Sequence, residues 1–205
     1  FTDPDGLRLE LLASAGRDDG REPWDGSSVP AEHAIRGFDG VTLLHADVVA
    51  TERLLVDALG FRQVAADGQR LRYESGAGGS GTFVDLLHEP TAVSGRVAGG
   101  SVHHVAFRVA DDDAQAAWPN RLFGAGHPTT EVKDRMYFHS IYLREPGGVL
   151  FELATDNPGF ATDETVEELG SGLRLPPWLE NNRDRIEQKL PSLGDPRLRK
   201  PGEAA

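Results

Sequence analysis

One pattern of secondary structure is written twice in this chain, and that repetition limits the folds open to it. The first copy opens with the apolar strand FDGVTLL over 38–44. A helix over about 48–59 stops at Gly60, and strands follow near 63–66, 71–74 and 82–88. The second copy opens with SVHHVAFRV. Its helix over about 112–123 ends at Gly124 and Gly126, and its strands lie near 130–133, 139–144 and 149–154. A strand, a helix and three more strands, repeated, predict an α+β protein of βαβββ modules with curved mixed sheets. The modules are expected over 35–92 and 99–158.

The flanks fit around this repeat. Residues 1–12 carry a DPDG turn and the alternating LRLELL, read as the last strand of a preceding module, with Glu10 in the place that Glu152 takes in the second copy. No methionine precedes Phe1, so the chain reads as the rear part of a longer polypeptide. Residues 13–34, rich in Gly, Asp, Pro and Ser, are expected as a linker. The tail over 159–205 should carry a short charged helix over about 179–190, packed on the last module through Trp178, Leu179 and Ile186.

Charge and composition remove several functions. A net charge of −12 would repel nucleic acid or an anionic membrane surface. The absence of cysteine excludes disulfides and thiolate metal sites. No signal-peptide pattern or membrane-length apolar run is present, so a cytoplasmic location is expected.

His104 and Glu152 carry the chemistry. Alternation puts His104, Ala106 and Arg108 on one face of their strand, and Leu150, Glu152 and Ala154 on one face of the closing strand. An imidazole and a carboxylate on rigid β elements are two of the three ligands that a mononuclear iron(II) site needs. No third ligand stands out. Aligning the copies sets Gly40 against His104 and Asp85 against Glu152, so the first module has degenerate metal positions. The plain alternative for His104 is a structural histidine. Glu152, flanked by Phe151 and Leu153, is a costly carboxylate unless it is paired or metal-bound.

The βαβββ repeat with these two residues resembles the vicinal-oxygen-chelate superfamily of glyoxalase I, extradiol dioxygenases and bleomycin-resistance proteins. VHHVAFRV and KDRMYFHSIYLREPGGVLFELATDNPGF are most similar to ring-cleaving dioxygenases of hydroquinones and chlorohydroquinones. Those enzymes have four modules, of which this chain would match the end of the second and all of the third and fourth. The resemblance implies metal ligands at His104 and Glu152. It implies roles around substrate and protons for His103, Arg135 and Tyr142, with His139 nearby. The family's remaining histidine ligand belongs to a first module, a segment without a match here.

The implied activity is an Fe(II)-dependent ring cleavage that takes a small aromatic substrate and O2, with Mn, Zn or Ni as alternative metals. His103 would shuttle a proton, Arg135 would hold a phenolate or developing oxyanion, and Tyr142 would donate a hydrogen bond. In a regular strand, however, His103 points away from His104, and the shuttle would then pass to His139 or Tyr142. Tyr142 also reads as a core aromatic, and Arg135 as a solvated loop cation. Two other functions stay open: a glyoxalase-like isomerase or lyase, and a non-catalytic bleomycin-resistance-type binding module. An uncovered last module would favour a homo-oligomer or pairing with N-terminal modules.

Overall fold

The computed structural model describes residues 1–13, 20–24, 26–98 and 101–191. Two four-stranded mixed sheets dominate it, with few and short helices, so the fold class is α+β. In the first module, β1 (Gly40–His45) pairs in parallel with β4 (Phe83–His88). Strands β3 (Arg70–Glu74) and β2 (Arg62–Asp67) extend that sheet antiparallel. The second repeats this plan. There β5 (Val105–Val109) runs parallel to β8 (Leu150–Pro158), which is followed by β7 (Phe138–Arg144) and the short β6 (Lys133–Asp134).

The registers make the repeat quantitative. Thr42 lies opposite Asp85 in the first sheet as Ala106 lies opposite Glu152 in the second. Two residues back along β1 and β5, Gly40 and His104 therefore correspond. Across the other edge, Arg72 opposes Asp85 as Tyr142 opposes Glu152.

Helix chemistry explains where the expected helices differ. The first is α1 (Val49–Arg53), continued by a π-helical turn over Leu54–Ala58, and Gly60 at φ 79° lets the chain leave it. The second is two pieces, α2 (Asp112–Ala116) and α3 (Trp118–Gly124). Asp111 caps α2 by accepting the Ala114 N–H at 2.8 Å. Pro119 has no N–H to continue the ladder and is tolerated only in a first turn, which separates the pieces at Ala117. Before β6, the Thr130 N–H donates to the Tyr142 carbonyl at 2.9 Å, but the return bond is lost to the side chain: the Tyr142 N–H donates to the Thr130 hydroxyl at 3.1 Å. The strand expected over 130–133 is thereby reduced to Lys133–Asp134.

One hydrophobic core joins the modules. Leu43, Leu55, Tyr73 and Leu86 belong to the same buried cluster as Ile141, Leu143, Phe151 and Leu153. Phe61 and Phe107 meet edge to face across the join at 5.5 Å. A buried polar contact lies at the same join. The Glu145 carboxylate accepts from Thr51 Oγ1 at 2.5 Å and from the N–H groups of Gly147 and Val149. The buried His45 ring stands where a side chain on Gly147 would have to be.

The flanks depart from expectation. The alternating stretch after Leu7 joins no ladder among the described residues, and only Thr2 and Arg8 form a bridge around the Asp3–Leu7 turn. Alternation makes a strand only where a sheet edge accepts it. Of the 13–34 linker, residues 14–19 and 25 lie outside the described residues; Ala31–His33 is a single 3-10 turn. The tail forms a 3-10 turn (Pro177–Asn182) and then α4 (Arg183–Glu187). Its expected anchor does not pack: Trp178 is 60% exposed and Leu179 36% exposed. Arg183 instead links Glu180 and Glu187 along the segment itself. Residues 192–205 lie outside the described residues. No helix among the described residues is long and apolar enough to cross a membrane.

Candidate metal centre

Strand β5 lies at the edge of the second sheet beside the internal β8, and alternation decides what the two show on each side. Val105, Phe107, Phe151 and Leu153 face the core, while Ala106, Arg108, Glu152, Ala154 and Asp156 face an open cleft. His104 precedes the first ladder residue and joins the cleft side. Its Nε2 lies 2.7 Å from Glu152 Oε2.

His103 also reaches this site. The ladder begins only at Val105, so the backbone at His103 is not bound by strict alternation. His103 Nδ1 lies 2.8 Å from His104 Nδ1, and the rings meet edge to face at 5.1 Å. If His104 Nε2 serves as a metal donor, its Nδ1 carries the proton and donates to His103 Nδ1. That bond fixes both the tautomer and the ring orientation of His104.

Glu152 is the centre of the arrangement. Only 3% of its side chain is exposed. Tyr142 donates its hydroxyl to Oε1 at 2.7 Å, and the Ser140 hydroxyl donates to the same oxygen in a very short contact. Both hydroxyls come from β7, where positions 140 and 142 share a face. Arg135 in turn donates from Nε to the Tyr142 oxygen at 3.2 Å and lies over the Tyr142 ring. The β6–β7 turn holds Arg135 there: Asp134 Oδ1 accepts the Met136 N–H, and Met136 adopts φ 70°. A connected chain of hydrogen bonds thus runs from Arg135 through Tyr142 to Glu152.

The equivalent place in the first module shows what this chain does with a buried carboxylate that holds no metal. Asp85 is embraced by Arg72 through two bonds of 2.8 Å and by Arg70 at 3.0 Å. Arg70 also clamps Glu10 with both terminal nitrogens. A Cβ on Gly40 would stand 2.6 Å from the Phe83 carbonyl oxygen, so the position corresponding to His104 has no room for a ligand. Fixed guanidinium charge neutralises that carboxylate. Around Glu152 the same two positions hold Ser140 and Tyr142, which bring no charge. A buried carboxylate supported by hydroxyls and an imidazole is suited to a divalent cation.

The donor set is incomplete within this unit. Among the described residues no group of three or more His, Cys, Asp or Glu side chains converges to hold a metal. Two donors, one imidazole nitrogen and one carboxylate oxygen, fit one edge of a 2-His-1-carboxylate site.

His139 is the candidate that the structure places elsewhere. It stands on β7 between Ser140 and Phe138, so it points to the opposite face. There its Nδ1 lies 2.6 Å from Asp112 Oδ1. That bond, with a second from Asn157, holds the Asp112 carboxyl below the usual carboxylate range. His139 is a clamp between the sheet and α2. Ser140 was the residue missed by the sequence reading; its parity with Tyr142 marks it, but a lone serine carries no other signal.

The cleft beside the pair measures about 300 Å³. It is lined by His104, Ala106, Glu152 and Ala154, with Phe138 and Phe160 at its side and Arg108 and Asp156 beyond.

Residues 37–153 match the family model of the Glyoxalase/Bleomycin resistance protein/Dioxygenase superfamily. MhqO of Bacillus subtilis (strain 168), provisionally named a ring-cleaving dioxygenase, is 42% identical over 191 residues, 93% of this chain and 60% of that protein. The chlorohydroquinone/hydroquinone 1,2-dioxygenase of Sphingobium indicum is 38% identical over 200 residues, 96% of this chain and 61% of that protein. This chain thus spans about three fifths of these curated relatives. A crystal structure from Bacillus subtilis, provisionally described as a dioxygenase, superposes with TM-score 0.79 at 41% identity. The match covers 87% of this chain and 57% of that one.

Proposed function

The chain belongs to the Glyoxalase/Bleomycin resistance protein/Dioxygenase superfamily, and from that premise we propose that it serves a non-haem Fe(II)-dependent ring-cleaving dioxygenase. The substrate class is a hydroquinone- or catechol-like ring, with O2 as co-substrate. One observation carries this reading: Glu152 is buried, bonded by neutral hydroxyls, and aimed with His104 into an open cleft. Relatives named for ring cleavage at 38–42% identity support it.

Glu152 and His104 would hold the metal as two of its ligands. Iron(II) bound there supplies a shared centre for ring and dioxygen, through which electron density passes from one to the other. The remaining work falls to the protein. Ser140 and Tyr142 fix the carboxylate. His103 accepts the Nδ1 proton of His104 as a hydrogen bond and turns its own Nε2–H outward. Arg135, already on the Tyr142 oxygen, supplies fixed positive charge for a substrate phenolate.

The test is oxygen uptake on hydroquinone by the natural full-length protein, reconstituted anaerobically with iron(II). Uptake that disappears in His104→Ala supports the reading. A stoichiometric metal with no uptake but with thiol-dependent isomerisation would replace it with glyoxalase-like chemistry.

A further inference from the structure

We propose that Ala106 and Ala154 form the floor on which the substrate ring lies, and that the Arg108–Asp156 pair reads the substituent at the ring's far end. This rests on the ring-cleaving reading above and names the residues that would set its specificity.

The cleft follows the strands. Beyond Ala106 and Glu152, the same face of β5 and β8 continues with Arg108 and Ala154, and then Asp156. At about 3.3 Å per residue, Glu152 to Asp156 covers roughly 13 Å of strand. Directly next to the metal pair the floor consists of two methyl groups. Phe138, which pairs with Pro158 beyond Asp156, and Phe160 also line the cleft, with their rings 6.1 Å apart. Small residues beneath, with aromatic rings in the lining, suit a flat apolar ring.

The far end of the slot is polar. Arg108 Nε lies 2.9 Å from Asp156 Oδ1, and both side chains line the cleft. On these side chains, 81% and 52% exposed, that bond leaves guanidinium N–H donors and the second carboxylate oxygen accessible to a ligand. A hydroxyl, which both donates and accepts, complements such a pair; a bare ring carbon does not. The ligand class is therefore a monocyclic phenol with a second hydroxyl opposite the one that faces His104 and Glu152.

The test measures anaerobic binding of hydroquinone and of phenol to the natural full-length protein loaded with iron(II), alongside metal content and oxygen uptake. The unsubstituted protein should bind hydroquinone about tenfold more tightly than phenol, the worth of roughly one added hydrogen bond. In Arg108→Leu/Asp156→Asn that ratio should fall to about one. Ala154→Leu should weaken both ligands at least about tenfold by overfilling the floor, with the metal retained. An unchanged hydroquinone-to-phenol ratio in the double variant overturns the role of the Arg108–Asp156 pair. Undiminished ring binding in Ala154→Leu overturns the floor. Binding with the proposed discrimination but without oxygen uptake leaves this assignment standing and removes the dioxygenase reading. Binding of neither ring removes both.

Discussion

His104 Nε2 and Glu152 Oε2 lie 2.7 Å apart at the lip of an open cleft, one on a partly exposed imidazole and the other on a buried carboxylate. If both are ligands to one cation, removing either leaves too few donors to hold it. His104→Ala and Glu152→Gln should each lower metal affinity by more than about a hundredfold, beyond the range found for residues that only support ligands. Titration of the apo-protein with Mn(II), followed by electron paramagnetic resonance, reads this directly. Stoichiometric tight binding in the double variant would show that the ion sits elsewhere.

Ser140 and Tyr142 present a finer case, because neither would touch the ion. Both donate to Glu152 Oε1 and leave Oε2 toward His104. Ser140→Ala and Tyr142→Phe should each reduce metal affinity about 10- to 100-fold. Global stability should fall by about 1.5–3 kcal/mol, the worth of one hydrogen bond to a charged group. Metal titration and urea denaturation on the same samples separate the two effects. A large loss of stability with unchanged affinity would make these hydroxyls core residues only.

What could be read from the sequence was local. Alternation and the stop at Gly60 located the sheets, and parity alone put Glu152, Ala106 and Arg108 on one face. Repeat alignment paired Gly40 with His104 and Asp85 with Glu152, as the strand registers do. What failed depended on partners distant in sequence. The reach of His103 turns on where the ladder begins, which hydrogen bonds to β8 decide. His139 looked like a site residue because its neighbours are, yet Asp112 on α2 holds it on the other face. The alternation in LRLELL joins no sheet among the described residues. The guanidinium partners of Asp85 and Glu10, positions read as degenerate, were equally out of reach.

The two modules are joined by a polar contact as well as by apolar packing. Glu145 is 2% exposed and accepts from Thr51 and from two backbone N–H groups. Glu145→Ala strands the buried Thr51 hydroxyl and two partly buried backbone N–H groups at once, and should destabilise the protein by about 3 kcal/mol or more. Thr51→Val removes one donor to the carboxylate and leaves the backbone bonds in place, so its effect should be smaller, about 1.5–2 kcal/mol. Urea unfolding midpoints compare them. Equal effects would mean that the backbone bonds to Glu145 contribute nothing.

The N-terminal segment depends on charge rather than on a ladder, which makes it sensitive to pH. Arg70 holds the Glu10 carboxyl below the usual carboxylate range, chiefly through its hydrogen bonds. A group whose pKa is lower in the folded state stabilises that state in full above its unfolded pKa. The contribution then declines as pH falls toward the folded value, where both states become protonated. The stability difference between the unsubstituted protein and Glu10→Gln should therefore be level at neutral pH and fade on acidification through and below the usual carboxylate range. The Glu10 side chain is 53% exposed, so solvent screening limits this difference to at most about 1 kcal/mol. Added salt should shrink it further. Urea denaturation across pH, at low and high salt, measures it. A difference that grows in acid, or ignores salt, would mean that Glu10 acts through packing and not through its ion pair with Arg70.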